Sequence, residues 1–236
     1  MKKERNKNND KLFPSGENAD RQKGQKLKVC GMKYPDNILE IAALQPDYMG
    51  FIFYEKSSRF FNDKLPNLPG SIKKVGVFVN ASAETIIKKL SDYQLQAIQL
   101  HGEESVEFCN ALKTKITQTF PSKHIEIIKV FSVGEHFNFE QLKAFEHCCD
   151  YFLFDTKGAL PGGNGYTFDW NLLRAYPSSK PYFLSGGIGL ESMQALEDFK
   201  QNPISKYCYS IDVNSKFEKE PGLKNKEKLE QLKKML

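Results

Sequence analysis

From Leu27 onward, short runs of apolar, β-branched and aromatic residues alternate with longer stretches in which apolar positions recur every three or four residues. The first pattern suits buried strands and the second suits helices laid over them. Strands are predicted at 27–31, 48–53, 72–79, 96–100, 125–131, 151–155, 181–185 and 207–211. Helices are predicted at 35–44, 83–90, 104–113, 139–147, 169–175, 191–199 and 226–236, with one more after Asn62. Strand ends recur roughly every 20 to 30 residues, the length of a strand-plus-helix unit, and eight such units close into a (β/α)8 barrel. The turn after the first strand reads Gly31-Met32-Lys33-Tyr34-Pro35, not the glycine-rich fingerprint that opens a dinucleotide-binding sheet. The fold class is therefore α/β, a single-domain TIM barrel over 27–236.

Composition changes this picture only at the N-terminus. A chain of 236 residues that is 40% hydrophobic can bury one large core. Residues 1–26 instead carry eight basic and four acidic groups among asparagines and few apolar side chains, and read as a disordered basic extension. The positive charge thus sits in the tail and leaves no basic face for nucleic acid. The tail has no apolar stretch of signal-peptide type, and no segment approaches the roughly 18 apolar residues of a membrane span. Five cysteines, an odd number, suit reduced thiols and a cytoplasmic setting.

Barrel sites are built where strands end, so the chemistry is sought at the eight exits. Cys30 closes the first strand, where neighbouring cations can lower a thiol's pKa and make it a base; the alternative is a small core residue. Asp155 ends the apolar run Tyr151-Phe152-Leu153-Phe154, a setting that raises a carboxyl's pKa toward the role of an acid. The glycine-rich 157–165 that follows reads as a lid or as a slack connection. After the seventh strand, Gly186 and Gly187 expose backbone N–H groups before a helix, an arrangement that binds anions. At the eighth exit Ser215 faces the same anion, with Lys216 as a possible counter-charge. Arg59 can grip a planar carboxylate or stand solvated, and of four histidines only His101 lies at an exit. His147-Cys148-Cys149 falls on a predicted helix whose neighbours diverge, so it reads as structural and not as a zinc site. The ligand implied is a small phosphorylated molecule.

Lys28-Val29-Cys30-Gly31, Met49-Gly50-Phe51-Ile52-Phe53 with Ser57-Ser58-Arg59, Gln99-Leu100-His101-Gly102, Asp155-Thr156-Lys157, Ser185-Gly186-Gly187-Ile188 and Pro221-Gly222-Leu223-Lys224 occur in that order. Over 27–236 this set resembles phosphoribosylanthranilate isomerase of tryptophan biosynthesis. The resemblance implies an Amadori rearrangement of N-(5-phosphoribosyl)anthranilate to 1-(2-carboxyphenylamino)-1-deoxyribulose 5-phosphate, without cofactor or metal. It makes Asp155 the acid that opens the ribose ring and Cys30 the base that takes the C2 proton. It gives Arg59 the anthranilate carboxylate, Gly186, Gly187 and Ser215 the phosphate, and His101 a place in the aromatic pocket. The family often has Ser-Ser-Gly where this chain has Asn214-Ser215-Lys216, and the tail has no counterpart. The chain is expected to be a monomer or homodimer.

A related phosphosugar-barrel isomerase that uses two aspartates is disfavoured by Cys30. A thiol hydrolase pairing Cys30 with His101 lacks an evident oxyanion site. A phosphosugar-binding barrel without chemistry is disfavoured by the presence of both Cys30 and Asp155.

Overall fold

The computed structural model describes residues 25–156 and 168–236, so residues 1–24 of the extension expected at 1–26, and the candidate lid at 157–165, lie outside the described residues, while Lys26 already belongs to the first strand. Eight parallel strands close into a barrel: β1 (Lys26–Val29), β2 (Tyr48–Ile52), β3 (Lys73–Phe78), β4 (Ala97–Leu100), β5 (Glu126–Val133), β6 (Tyr151–Thr156), β7 (Tyr182–Leu184) and β8 (Cys208–Val213). Closure is made by β1 against β8, with Lys28 opposite Asp212 and Val29 opposite Val213. Alternation along the strands sends Tyr48, Val75, Ala97, Ile128, Val130, Leu153 and Phe183 into one inner cluster. The opposite faces pack under the outer helices in a second, larger apolar layer.

The α-helices are α1 (Pro35–Ala42), α2 (Ala83–Asp92), α3 (Val106–Thr119), α4 (Met193–Lys200) and α5 (Lys226–Met235). Pro35 opens α1, where a missing N–H costs no hydrogen bond. Ser82, Ser105 and Asn225 cap α2, α3 and α5 by accepting from Thr85, Phe108 and Lys228 N–H groups.

Three predicted helices are corrected. No helix forms after Asn62, a stretch broken by Pro66, Pro69 and Gly70. Its covering task falls to Phe61, buried 5.1 Å from Phe51 and 5.7 Å from Tyr93, ring to ring. The segments predicted at 139–147 and 169–175 are the short 3-10 helices Phe139–Phe145 and Trp170–Ala175. Their apolar residues recur every third position, 139, 142 and 145 in one and 170, 173 and 176 in the other, the spacing that stacks side chains on a three-residue turn. Trp170 is buried against Phe199 of α4, 5.8 Å between rings, and its indole N–H has no hydrogen-bond partner among the described residues. A hairpin of β9 (Glu218–Glu220) and β10 (Leu223–Lys224) follows β8 at the barrel mouth.

Candidate active site

A cavity of about 380 Å³ opens at the carboxyl ends of the strands, and Cys30, Arg59, His101, Asp155, Gly186, Gly187 and Ser215 all line it. A larger cleft of about 670 Å³ lies outside the barrel between the 170–175 segment and α4. It contains none of the strand-exit residues, so volume alone would misplace the chemistry.

Alternation explains why the reactive pair faces inward. Leu153 belongs to the inner cluster, and Asp155 stands two residues further along the same face of β6. On β1, Lys28 and Cys30 share a face in the same way, Lys28 deeper and Cys30 at the rim. Gly50 makes room for the thiol, since a Cβ there would fall 2.7 Å from Cys30 Sγ.

The expected lowering of the Cys30 pKa is not found. Burial raises it above the ordinary thiol value, and the opposing attraction of Lys28 and then Lys224 does not cancel that cost. Lys28 is shared between the thiol and Asp212, its Nζ 2.8 Å from Asp212 Oδ1. Burial also works against the Lys28 ammonium, but Asp212 and Cys30 hold its pKa above the ordinary lysine value.

Asp155 Oδ1 accepts from its neighbour Thr156 N–H at 2.9 Å, which fixes the carboxylate plane. Asp155 Oδ2 lies 3.4 Å from His101 Nε2. Gln99 Nε2 donates to His101 Nδ1 at 3.1 Å, an arrangement that leaves a ring proton to Nε2, toward Asp155. Apart from that approach to Asp155, His101 Nε2 and Gln99 Oε1 are buried without hydrogen-bond partners among the described residues. The loop that holds His101 is braced from outside the barrel. Lys129 Nζ donates to Gly102 O at 2.7 Å and to Glu104 Oε2 at 2.9 Å, and Glu104 accepts from Asn80 and Gly102 N–H groups.

Gly186 and Gly187 follow β7 with φ of 91° and 67°. Such consecutive left-handed glycines form a backbone nest for an anion. Gly186 also packs hard on β6, where a Cβ would fall 2.2 Å from Thr156 Oγ1. Ser215 opens the 3-10 turn Ser215–Phe217 on the same side of the cavity. Lys216 does not supply the expected counter-charge, because its Nζ is drawn 2.9 Å from Glu191 Oε1.

Arg59 is not solvated. Its side chain is 16% exposed, with Nε 2.9 Å from Glu218 Oε1 and Nη2 2.7 Å from Glu218 Oε2. Burial would raise the Glu218 carboxyl, but Arg59 and Lys224 hold it below the ordinary range. Lys224 is fully buried, and desolvation brings its pKa down to about 8 in spite of Glu218.

A family model described as N-(5'-phosphoribosyl)anthranilate (PRA) isomerase matches residues 27–235. The chain belongs to the N-(5'-phosphoribosyl)anthranilate isomerase family. It is 42% identical to the family member of Parabacteroides distasonis over 210 residues, covering 86% of this chain and 89% of the relative. It is 41% identical to that of Phocaeicola vulgatus over 199 residues, covering 84% and 91%. Among solved structures, phosphoribosyl anthranilate isomerase from Thermotoga maritima superposes with a TM-score of 0.72 at 30% identity, covering 89% of this chain and 98% of that one. Another, in complex with reduced 1-(o-carboxyphenylamino)-1-deoxyribulose 5-phosphate, matches with a TM-score of 0.67 at 29% identity, covering 87% and 94%.

All seven residues singled out by sequence thus line one cavity in an isomerase-family barrel. Sequence reasoning missed Lys28, Gln99, Asp212, Glu218 and Lys224. For the first three the signal was present in the two-residue alternation, since a charged or amide side chain two positions from an inward residue also faces inward. Cys148 and Cys149 are buried with thiols donating to Phe145 O, and no group of side chains able to hold a metal occurs among the described residues.

Proposed function

We propose that this site isomerises N-(5'-phosphoribosyl)anthranilate with Asp155 as general acid and Cys30 as general base, the shared cavity of these two side chains being the observation that supports the assignment most directly. Asp155 gives its proton to the ribose ring oxygen, the C1–O bond breaks and the anthranilate nitrogen supplies electrons to form a protonated Schiff base. Cys30, as thiolate, takes the C2 proton, and the electron pair left behind neutralises the iminium to an enolamine. That intermediate relaxes to the 1-amino-1-deoxy-ketose, so no redox partner is consumed and the reaction is an internal isomerisation. Arg59 holds the anthranilate carboxylate, while Gly186, Gly187 and Ser215 hold the phosphate through N–H and O–H donors. His101 lies against the aromatic ring, its Nε2 turned toward Asp155.

The enzyme is read as cytoplasmic, monomeric or homodimeric, and directed at a diffusible substrate, not at nucleic acid. Free thiols at all five cysteines are in keeping with a reducing compartment. Among the described residues no helix is long and apolar enough to cross a membrane.

The deciding assay follows loss of substrate fluorescence as purified protein is added. Turnover supports the assignment, and tight binding of the reduced product analogue without turnover would support a barrel that binds phosphosugar and does no chemistry.

A further inference from the structure

Pro221-Gly222-Leu223-Lys224 has been given no task, and its Lys224 stands at the barrel mouth with Glu218, the side chains of both almost wholly buried. We propose that Glu218 and Lys224 are positioning residues that fix which edge of the Arg59 guanidinium is offered to the substrate carboxylate. The inference rests on the reading of Arg59 as the carboxylate holder.

A guanidinium has five N–H donors arranged along more than one edge, each able to take a carboxylate in a fork. Glu218 occupies the edge made by Nε and Nη2, with contacts of 2.9 and 2.7 Å. That leaves the end-on edge, Nη1 with the second Nη2 proton, as the free fork. Glu218 is itself held from behind, for its Oε1 accepts from Lys224 Nζ at 2.7 Å and from Gly222 N–H at 3.0 Å.

Lys224 has no donor left for a ligand. Its three protons go to Glu218 Oε1, to Asn214 Oδ1 at 2.6 Å and to Asn214 O at 3.4 Å. Its backbone is tied to α1, where Asn37 Oδ1 accepts from Lys224 N–H at 2.7 Å and Asn37 Nδ2 donates to Lys224 O at 3.0 Å. The sequence motif builds this register. Gly222 turns the chain at φ 91°, a conformation suited to glycine, so that Lys224 pairs with Glu218 across the hairpin. The triad of Arg59, Glu218 and Lys224 keeps one net positive charge, the complement of a single carboxylate, and presents it in one orientation.

The test separates orientation from charge. In Glu218→Leu/Lys224→Met one anion and one cation are removed together, so the net charge at Arg59 is unchanged while its brace is gone. Affinity is measured by calorimetry for the reduced product analogue and for the same molecule lacking the ring carboxylate, in wild type, in this double variant and in Arg59→Met. The wild-type preference for the carboxylate-bearing ligand is expected to fall roughly tenfold in both variants, the scale of a charged hydrogen-bond pair, with the other ligand bound within about twofold. KM should rise while kcat stays within a few fold. Should the double variant prove unfolded by thermal melting, Glu218→Asp serves instead. It keeps both charges but is one methylene too short to reach Arg59 and Lys224 at once, and partial loss of preference is expected. A double variant or Glu218→Asp that keeps the full preference, or loses both ligands equally, overturns the positioning role alone. An Arg59→Met that keeps the preference overturns the reading of Arg59 and this inference with it.

Discussion

Lys28 Nζ lies 2.8 Å from Asp212 Oδ1, one inward position deeper on β1 than Cys30, so the cation nearest the thiol is already neutralised by a carboxylate. Burial therefore decides the thiol's ionisation and raises its pKa. At neutral pH the ligand-free protein should hold less thiolate at Cys30 than a free cysteine, whose pKa is about 8.5. Alkylation of Cys30 by iodoacetamide, followed by peptide mass spectrometry, should rise with pH to a midpoint above that value. Lys28→Met should move the midpoint higher still, and a wild-type midpoint below that of free cysteine would show that the cation prevails.

Removing either reactive group should abolish most turnover while leaving the ligand in place. For Cys30→Ala and Asp155→Asn, kcat is expected to fall by roughly 10² to 10⁴, the usual worth of a positioned acid or base. Calorimetry with the reduced product analogue should show affinities near wild type. Wild-type kcat in Cys30→Ala would refute the base assignment.

Gly50 tests placement without replacing a reactive group. The Cβ of Gly50→Ala would stand 2.7 Å from Cys30 Sγ, closer than two such atoms approach, so the thiol must rotate or β2 must shift. A displacement of this order can cost about 10² in rate. Steady-state kinetics should show the loss in kcat, with the phosphate end of the site and KM little changed.

The brace behind His101 is a stability element. Lys129→Met leaves the buried Glu104 carboxylate without its cation, and loss of one partner of such a pair costs about 3 to 5 kcal/mol. Urea unfolding should show this, and Lys129→Met combined with Glu104→Gln should recover a good part of it. Equal midpoints for wild type and Lys129→Met would remove the pair from the account.

The barrel was legible because its signal is additive: eight apolar runs at regular intervals leave little choice of fold, whatever the fate of any one connection. The connections were less legible because covering a strand is a demand for apolar area, and area can come from a helix, from Phe61 on an irregular loop, or from a 3-10 helix carrying Phe139, Leu142 and Phe145. At the site, residues next to glycines or ending apolar strands could be read singly. Glu218 and Lys224 could not, since Glu218 takes its meaning from Arg59, 159 positions away in the chain, and Lys224 takes its meaning from Glu218. Lys216 shows the reverse error, a cation in the right place already claimed by Glu191.

Trp170 is the sole tryptophan of the chain, and it sits on the outer seam against Phe199, away from the reacting cavity. Its emission is consequently a single-site optical gauge of how tightly the 170–175 segment seats on α4. A shift to longer wavelength during mild denaturation would date the loosening of that seam on its own clock, independent of the signal from anthranilate at the mouth.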